Sequence, residues 1–342
     1  KMLKSAIKQI ANALKNTKNK PIIIIKSTVI PGTTENIVKP ILEKNSHKSS
    51  DKGFSVLTNP EFLREGSAID DTLKPHVIII GGNDNSAINK LKKFYHQLYG
   101  TQIKTITTNH QTAEMIKYAN NSFLATKISF INQIANICQS VPGTNVDDVA
   151  TAIGLDPRIG NLFLKAGPGY GGSCLPKDLQ TMITFSSKVG SNPLFLKAVQ
   201  QTNSLQVKNI MNLIHDYLGN IKRKKITILG LAFKENSDDI RESISMKLIE
   251  LLLQKNAIIT VYDPIAMENT KKIFKNKINY SVSLPESLKN SQCAIIMTPW
   301  KQFTKLKNSD FKNMKRKLVI DTRRILRQQN LNIDYHALGI GK

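Results

Sequence analysis

Three cysteines stand in the 342 residues, at positions 138, 174 and 293, and one of them has neighbours suited to chemistry. Cys174 lies in the run Gly171-Gly172-Ser173-Cys174-Leu175-Pro176-Lys177-Asp178. Glycines there let backbone approach a ligand, Pro176 stiffens the exit, and a cation three residues on favours thiolate over thiol. A lone cysteine is usually structural. Cys138, in an apolar helical stretch, and Cys293, in the strand-like 292–297, fit that reading. In a polar loop beside Lys177 and Asp178, Cys174 is instead a candidate nucleophile. No CxxC or Cys/His spacing marks a disulfide framework or a zinc site, so no metal is expected and the setting reads as reducing and cytoplasmic.

Lys117 and Asn121 stand four residues apart, the spacing that puts two side chains on one helix face. Most such pairs are solvated, and burial of Lys117 is what separates a site from a surface pair. Glu61 and Glu65 bracket Phe62-Leu63-Arg64 in a loop that follows a strand. Loop carboxylates are commonly solvated, and Glu61 after Pro60 also suits a helix cap. Thr28 closes an Ile-rich strand, where a hydroxyl ordinarily satisfies a turn.

Those side chains need a frame that gathers distant segments. Residues 1–16 read as an amphipathic helix, with Leu3, Ile7, Ile10 and Leu14 at helical spacing. Residues 21–34 read as a buried β-branched strand running into a turn at Pro31-Gly32, with a helix to Leu42. Strands at 55–58 and 76–82, the loop 59–71 and a helix at 86–99 continue the alternation, which predicts a parallel α/β sheet. After Asn109 the pattern is helical: one long helix over 110–140, another after Asn145, one entered from Pro176, and one from Pro193 to about Tyr217. From Lys225 strands and helices alternate again, as in a doubly wound fold. The predicted class is α/β, with two Rossmann-like parallel-sheet domains (1–108 and 205–342) joined by an all-helical central domain (109–204).

Composition narrows the partners. Hydrophobic content of 40% against 22% charged residues excludes disorder over most of the chain. No apolar run approaches the ~18–20 residues of a membrane span, so no membrane partner is expected. The 49 Lys and Arg exceed 25 Asp and Glu, giving +24, which invites a nucleic-acid reading. Yet arginine occurs only at 64, 158, 223, 241, 316, 323, 324 and 327, and no nucleic-acid motif accompanies the lysines. The run Gly167-Pro168-Gly169-Tyr170-Gly171-Gly172 matches G-x-G-x-x-G, but without a preceding strand it is not a pyrophosphate turn.

Six blocks taken together resemble the UDP-glucose/GDP-mannose dehydrogenase family: KSTVIPGT (26–33), NPEFLREGSAIDD (59–71), EMIKYANNSFLATKISFIN (114–132), DPRIGNLFLKAGPGYGGSCLPKD (156–178), LGLAFKENSDDIRES (229–243) and VYDP (261–264). The likeness spans nearly the whole chain in the family's order. The family's first strand and its glycine fingerprint are not matched, so the sequence is expected to lack its N-terminal start. A non-catalytic nucleotide-binding or dimerisation fragment is the rival reading.

The resemblance implies NAD-dependent, four-electron oxidation of a nucleotide-sugar, UDP-glucose to UDP-glucuronate. GDP-mannose and UDP-N-acetylhexosamines are the alternative substrates. It makes Cys174 the nucleophile of a thiohemiacetal and thioester, with Lys117, Asn121, Asp178, Glu61 and Thr28 also catalytic. Substrate contacts implied are Glu61, Phe62, Leu63, Arg64, Glu65, Lys117 and Asn121, then Arg158, Phe163, Lys165, Gly169, Tyr170 and Gly171, and finally Phe233, Lys234 and Arg323. Arg324 competes with Arg323 by position. Thr28, Glu65, Lys177 and Arg241 are implied for NAD, and Arg158 is implied to reach a neighbour's substrate in a homodimer formed by the central helices.

Overall fold

A computed structural model describes residues 2–50 and 52–341, and the chain divides into two compact units between Asn120 and Asn121. In the first unit, helix α1 (Met2–Leu14) buries Ile7, Ala11 and Leu14. They pack in one cluster with Leu42 of α2 (Lys39–Ser46). Ile10, expected on the buried face, is 36% exposed, and Ala11 takes its place at full burial. A small side chain there lets the two helices lie close. A single π-helical turn, Thr34–Val38, leads into α2.

Strands β1 (Ile22–Ile25), β2 (Ser55–Thr58), β3 (Ile78–Gly81) and β4 (Thr105–Thr108) pair in sequence order. The outer pairs are parallel, but β2 meets β3 antiparallel, at Thr58 opposite Gly81. The wholly parallel sheet expected is therefore mixed. Between β2 and β3 the chain carries the loop from Asn59 and the six-residue helix α3 (Ala68–Leu73). In the outermost strand β1 only Ile25 is buried and Ile24 is half-open, so the run expected to be a buried strand is a half-covered edge. Helix α4 (Asn85–Tyr99) starts on Asp84, whose carboxylate accepts from the N–H groups of Ser86 and Ala87, an N-cap. Ile88, Leu91 and Tyr95 of α4 cover Leu57, Ile78 and Ile80. Helix α5 (His110–Gln139) carries Lys117 in this unit.

The second unit adds helices α6 (Val146–Gly154), α7 (Leu175–Lys188) and α8 (Leu194–Leu218). Then come β5 (Lys225–Leu229), α9 (Ile244–Gln254), β6 (Ile258–Tyr262), α10 (Met267–Phe274), β7 (Asn279–Tyr280), α11 (Leu284–Leu288), β8 (Cys293–Ile296), β9 (Leu318–Asp321) and β10 (Asp334–Ala337). Their sheet runs β10-β9-β8-β5-β6-β7, and every pairing is parallel. The strand order reverses at β5, and ligands bind outside the carboxyl ends at such a switch point. Ile226 and Ile228 of β5 pack with Ile249 and Leu252 of α9 and Ile210 and Ile214 of α8. Each such burial contributes ~1.5–3 kcal/mol, which holds the exit of β5 rigid.

Candidate active site

Cys174 is the residue before α7 and is exposed, whereas Cys138 and Cys293 are buried. Burial pushes the Cys293 thiol far above its ordinary range, which leaves it inert. Ser173 Oγ lies 3.6 Å from the Cys174 sulfur. One turn into α7, Asp178 is 1% exposed, and its N–H donates to the Cys174 carbonyl at 2.8 Å. Its carboxylate accepts from Asn121 Nδ2 at 2.6 Å and from Lys177 Nζ. The cation expected beside the sulfur is thus turned onto the carboxylate, because a buried carboxylate without partners is costly.

The segment from Gly167 to Gly172 is pinned from three sides. Asn132 Oδ1 accepts from Gly167 N–H at 2.8 Å, and Asn203 both accepts from Tyr170 N–H and donates to its carbonyl. Gly172 N–H donates to the Arg241 carbonyl at 2.9 Å. Gly172 sits at φ +79, and a Cβ there would lie 2.8 Å from the Phe233 ring, so glycine is required. Burial pushes the Tyr170 phenol up to about 12. Pro168, Gly169, Gly171, Phe233, Ser243 and Arg323 line a small cavity at the exit of β5.

The two adjacent arginines separate cleanly. Arg324 spends its guanidinium on both oxygens of Asp147, at 2.8 and 2.9 Å, and on the Ala166 and Leu338 carbonyls. Arg323 Nε donates to the Met297 carbonyl, its Nη1 faces Gly167, and burial lowers it to about 10. Lys234 stands 5.8 Å from the Phe233 ring centre. Phe163, at φ +65, and Lys165 are exposed and outside that cavity's lining. Arg158 is exposed and pairs with Asp156 at 2.6 Å, and Arg241 pairs with Asp239 at 2.7 Å.

In the first unit, Lys117 is 5% exposed, which answers the burial question against a solvated pair. Its Nζ lies 3.6 Å from Glu61 Oε1 and 5.1 Å from the Phe62 ring centre, a cation–π approach. Glu61 caps no helix; its Oε2 accepts from the N–H of Leu63 in its own loop. Arg64 forks onto Asp71, at 2.6 Å for the closest contact, and so clips the loop to α3. Glu65 is half-buried in that loop, and Thr28 is half-buried three residues past β1. Three supports escaped sequence reasoning: Lys26, Asn203 and Glu114. Lys26 Nζ donates to Asn59 Oδ1 at 2.8 Å; burial lowers its pKa, opposed by the charge of Glu61. Their partners lie tens of residues away, and no spacing signals them.

A dinucleotide needs backbone N–H groups for its pyrophosphate and polar side chains at its nicotinamide ribose. The Thr28 hydroxyl and the Glu65 carboxylate, past the exits of parallel β1 and β2, suit the second need. Gly81 and Gly82 do not suit the first: a Cβ on them would lie 2.6 Å from Ala113 Cβ and 2.5 Å from Leu57 Cδ2. They are packed on side chains.

An α/β oxidoreductase with an exposed thiol at a helix start and a second, nucleotide-type parallel sheet is the class that fold and site define. Residues 1–99 match the NAD binding domain, 111–205 the central domain and 227–328 the UDP binding domain of one family. The chain belongs to the UDP-glucose/GDP-mannose dehydrogenase family. A UDP-glucose 6-dehydrogenase of Haloferax volcanii is 38% identical over 338 residues, 98% of this chain and 77% of that one. One of Rickettsia prowazekii is 39% identical over 324 residues, 93% of this chain and 73% of that one. The solved UDP-glucose dehydrogenase of the hyperthermophilic archaeon Pyrobaculum islandicum matches with a TM-score of 0.90 at 34% identity, across 99% of this chain and 75% of that one. Among the described residues no helix is long and apolar enough to cross a membrane.

Proposed function

We propose that the chain oxidises UDP-glucose to UDP-glucuronate in two NAD-dependent steps. The observation that carries this reading is the exposed Cys174 thiol at the start of α7, beside the buried Asp178–Asn121 pair. The relatives named above, both UDP-glucose 6-dehydrogenases, support the choice of sugar nucleotide.

Thr28, Glu65, Lys177 and Arg241 are the residues assigned to NAD, which when bound supplies the hydride acceptor for each oxidation. In the first oxidation the hydride leaves C6 and the C6 hydroxyl proton leaves to water, giving an aldehyde, while Lys117 and Asn121 donate to the oxygen as it gains negative charge. The Cys174 sulfur bonds to the aldehyde carbon, and its proton passes to that oxygen, forming a thiohemiacetal. The thiohemiacetal carbon then gives up the second hydride while its hydroxyl proton leaves to water, and a thioester remains. Glu61 takes a proton from the attacking water, the carbon–sulfur bond breaks, and the acid leaves the restored cysteine. Asp178 holds the Asn121 amide in one orientation.

For the substrate, we assign the 61–65 segment (Glu61, Phe62, Leu63, Arg64 and Glu65) to the sugar pocket. Phe163, Lys165, Gly169, Tyr170 and Gly171 take the uridine and sugar, Phe233 and Lys234 the diphosphate side, and Arg323 the sugar. The division into regions 1–108, 109–204 and 205–342 belongs to this reading, as does a reducing, cytoplasmic setting for the free thiol. So does a homodimer through the central helices, with Arg158 reaching the neighbour's substrate. Phe123, Phe130 and Ile137, seven residues apart on α5, are 62%, 52% and 52% exposed, an apolar stripe that a second copy would cover.

The test is NADH absorbance with UDP-glucose, GDP-mannose and a UDP-N-acetylhexosamine offered in turn. Two NADH formed per UDP-glucuronate is the expected result. A single NADH per sugar, or faster turnover of GDP-mannose, overturns the assignment.

A further inference from the structure

Glu114 has no part in the steps just described, yet it gathers three donors. It is 2% exposed and stands on α5 three residues before Lys117. Its Oε1 accepts from the N–H and Oγ1 of Thr34 at 2.8 and 2.6 Å, and its Oε2 accepts from Gly32 N–H at 2.6 Å. Gly32 lies at φ +89, the left-handed region open to glycine, and that turn aims its N–H at the carboxylate.

The chain of bonds continues. Thr58 Oγ1 donates to Thr34 Oγ1 at 3.1 Å and lies 2.9 Å from His110 Nδ1. With the Thr34 proton given to Glu114 and the Thr58 proton given to Thr34, the His110 Nδ1 proton is the donor that closes the network. His110 and Glu114 are four apart on α5, so one helix face holds both ends.

Each member adjoins a segment that carries a proposed site residue. Gly32 and Thr34 end the stretch that begins at Thr28. Thr58 is the last residue of β2 and leads through Asn59-Pro60 into Glu61. Glu114 is one turn before Lys117. We propose that Glu114 is a positioning residue: through Gly32, Thr34, Thr58 and His110 it sets in one register the segments bearing Thr28, Glu61 and Lys117. Glutamine at 114 would turn an NH₂ toward an N–H or O–H donor, so the brace is broken with little change in volume.

This inference rests on the proposed oxidation, and its test keeps the two apart. The full chain and its Glu114→Gln variant are compared by amide exchange across 28–38, by calorimetric binding of UDP-glucose, and by kcat from NADH. Exchange in 28–38 should rise about tenfold or more while peptides from 205–342 stay as they were. The kcat should fall by roughly 10–100-fold with Kd for UDP-glucose held within about threefold, the mark of lost alignment over lost binding. Unchanged exchange overturns the brace, and faster exchange with kcat retained overturns its role in positioning. Should Glu114→Gln not fold, Thr34→Val removes one donor, keeps every N–H, and is read against the same outcomes on a smaller scale. A wild-type chain that fails to oxidise UDP-glucose sinks the functional reading, while the exchange comparison still decides the brace.

Discussion

Asn121 donates from Nδ2 to the buried Oδ2 of Asp178 at 2.6 Å, joining α5 to α7 across 57 residues of sequence. The bond fixes the orientation of the Asn121 amide on the buried carboxylate. It also gives Asp178 a partner on each oxygen, since Lys177 takes the other.

Asn121→Ala should therefore act twice. Loss of a donor from a buried carboxylate costs about 1–3 kcal/mol, read as a lower Tm in thermal unfolding. Loss of an amide aimed at a developing alkoxide costs roughly 10²–10³ in kcat. A variant that lowers Tm and leaves kcat intact would confine Asn121 to structure.

The three thiols should part company in the native protein. Iodoacetamide should alkylate Cys174 alone, one equivalent per chain, because Cys138 and Cys293 are buried and burial raises the Cys293 thiol. Peptide mapping checks the site. Cys174→Ser should lower acid formation by at least about 10³-fold, and wild-type rates in that variant would end the covalent mechanism.

The long repeating elements were legible in the sequence, and the corrections lie where tertiary context chooses. The α5 helix, free of Gly and Pro, could be read almost residue by residue, and so could β5 and β8, whose apolar runs are buried on both faces. The Ile-rich run at 22–25 has the same composition, yet its place at the edge of the four strands leaves it half-covered. Composition cannot report which strands lie beside a given one. At the site, Cys174 and Asp178 share a motif and so could be found together. Glu114 and Asn203 hold their loops through partners 80–82 and 33 residues away, and a single sequence carries no signal for such pairs. Lys177 could be located but not its aim, because the burial of Asp178 decides that.

Arg323 and Arg324 offer a matched pair of substitutions. Arg324→Ala removes bonds to Asp147, Ala166 and Leu338 and should cost about 1.5–3 kcal/mol of stability, with affinity for UDP-glucose little changed. Arg323→Ala should do the reverse: a small loss in Tm, and a rise in the calorimetric Kd for UDP-glucose of at least about tenfold. If the two variants exchanged these phenotypes, the cavity at the exit of β5 would not be the sugar site.

The loop carrying Glu61 and Glu65 should open in acid. Arg64 hydrogen-bonds Asp71 through its guanidinium and its own N–H, which holds the Asp71 carboxyl well down, to about 2. An unfolded aspartate titrates near ~3.9. The folded value is the lower one, so the clamp contributes fully above about 4 and is lost as pH falls through about 2. The Arg64 side chain is 66% exposed, so screening keeps the stability effect small and the consequence local. Amide exchange over 59–71 should thus quicken between about pH 4 and pH 2 before peptides of the second sheet respond. Asp71→Asn removes the charge at every pH and should quicken the same segment at pH 7, with a rise in KM for UDP-glucose through the misplaced 61–65 backbone. Protection over 59–71 in Asp71→Asn equal to wild type would show that the loop is held by something other than this clamp.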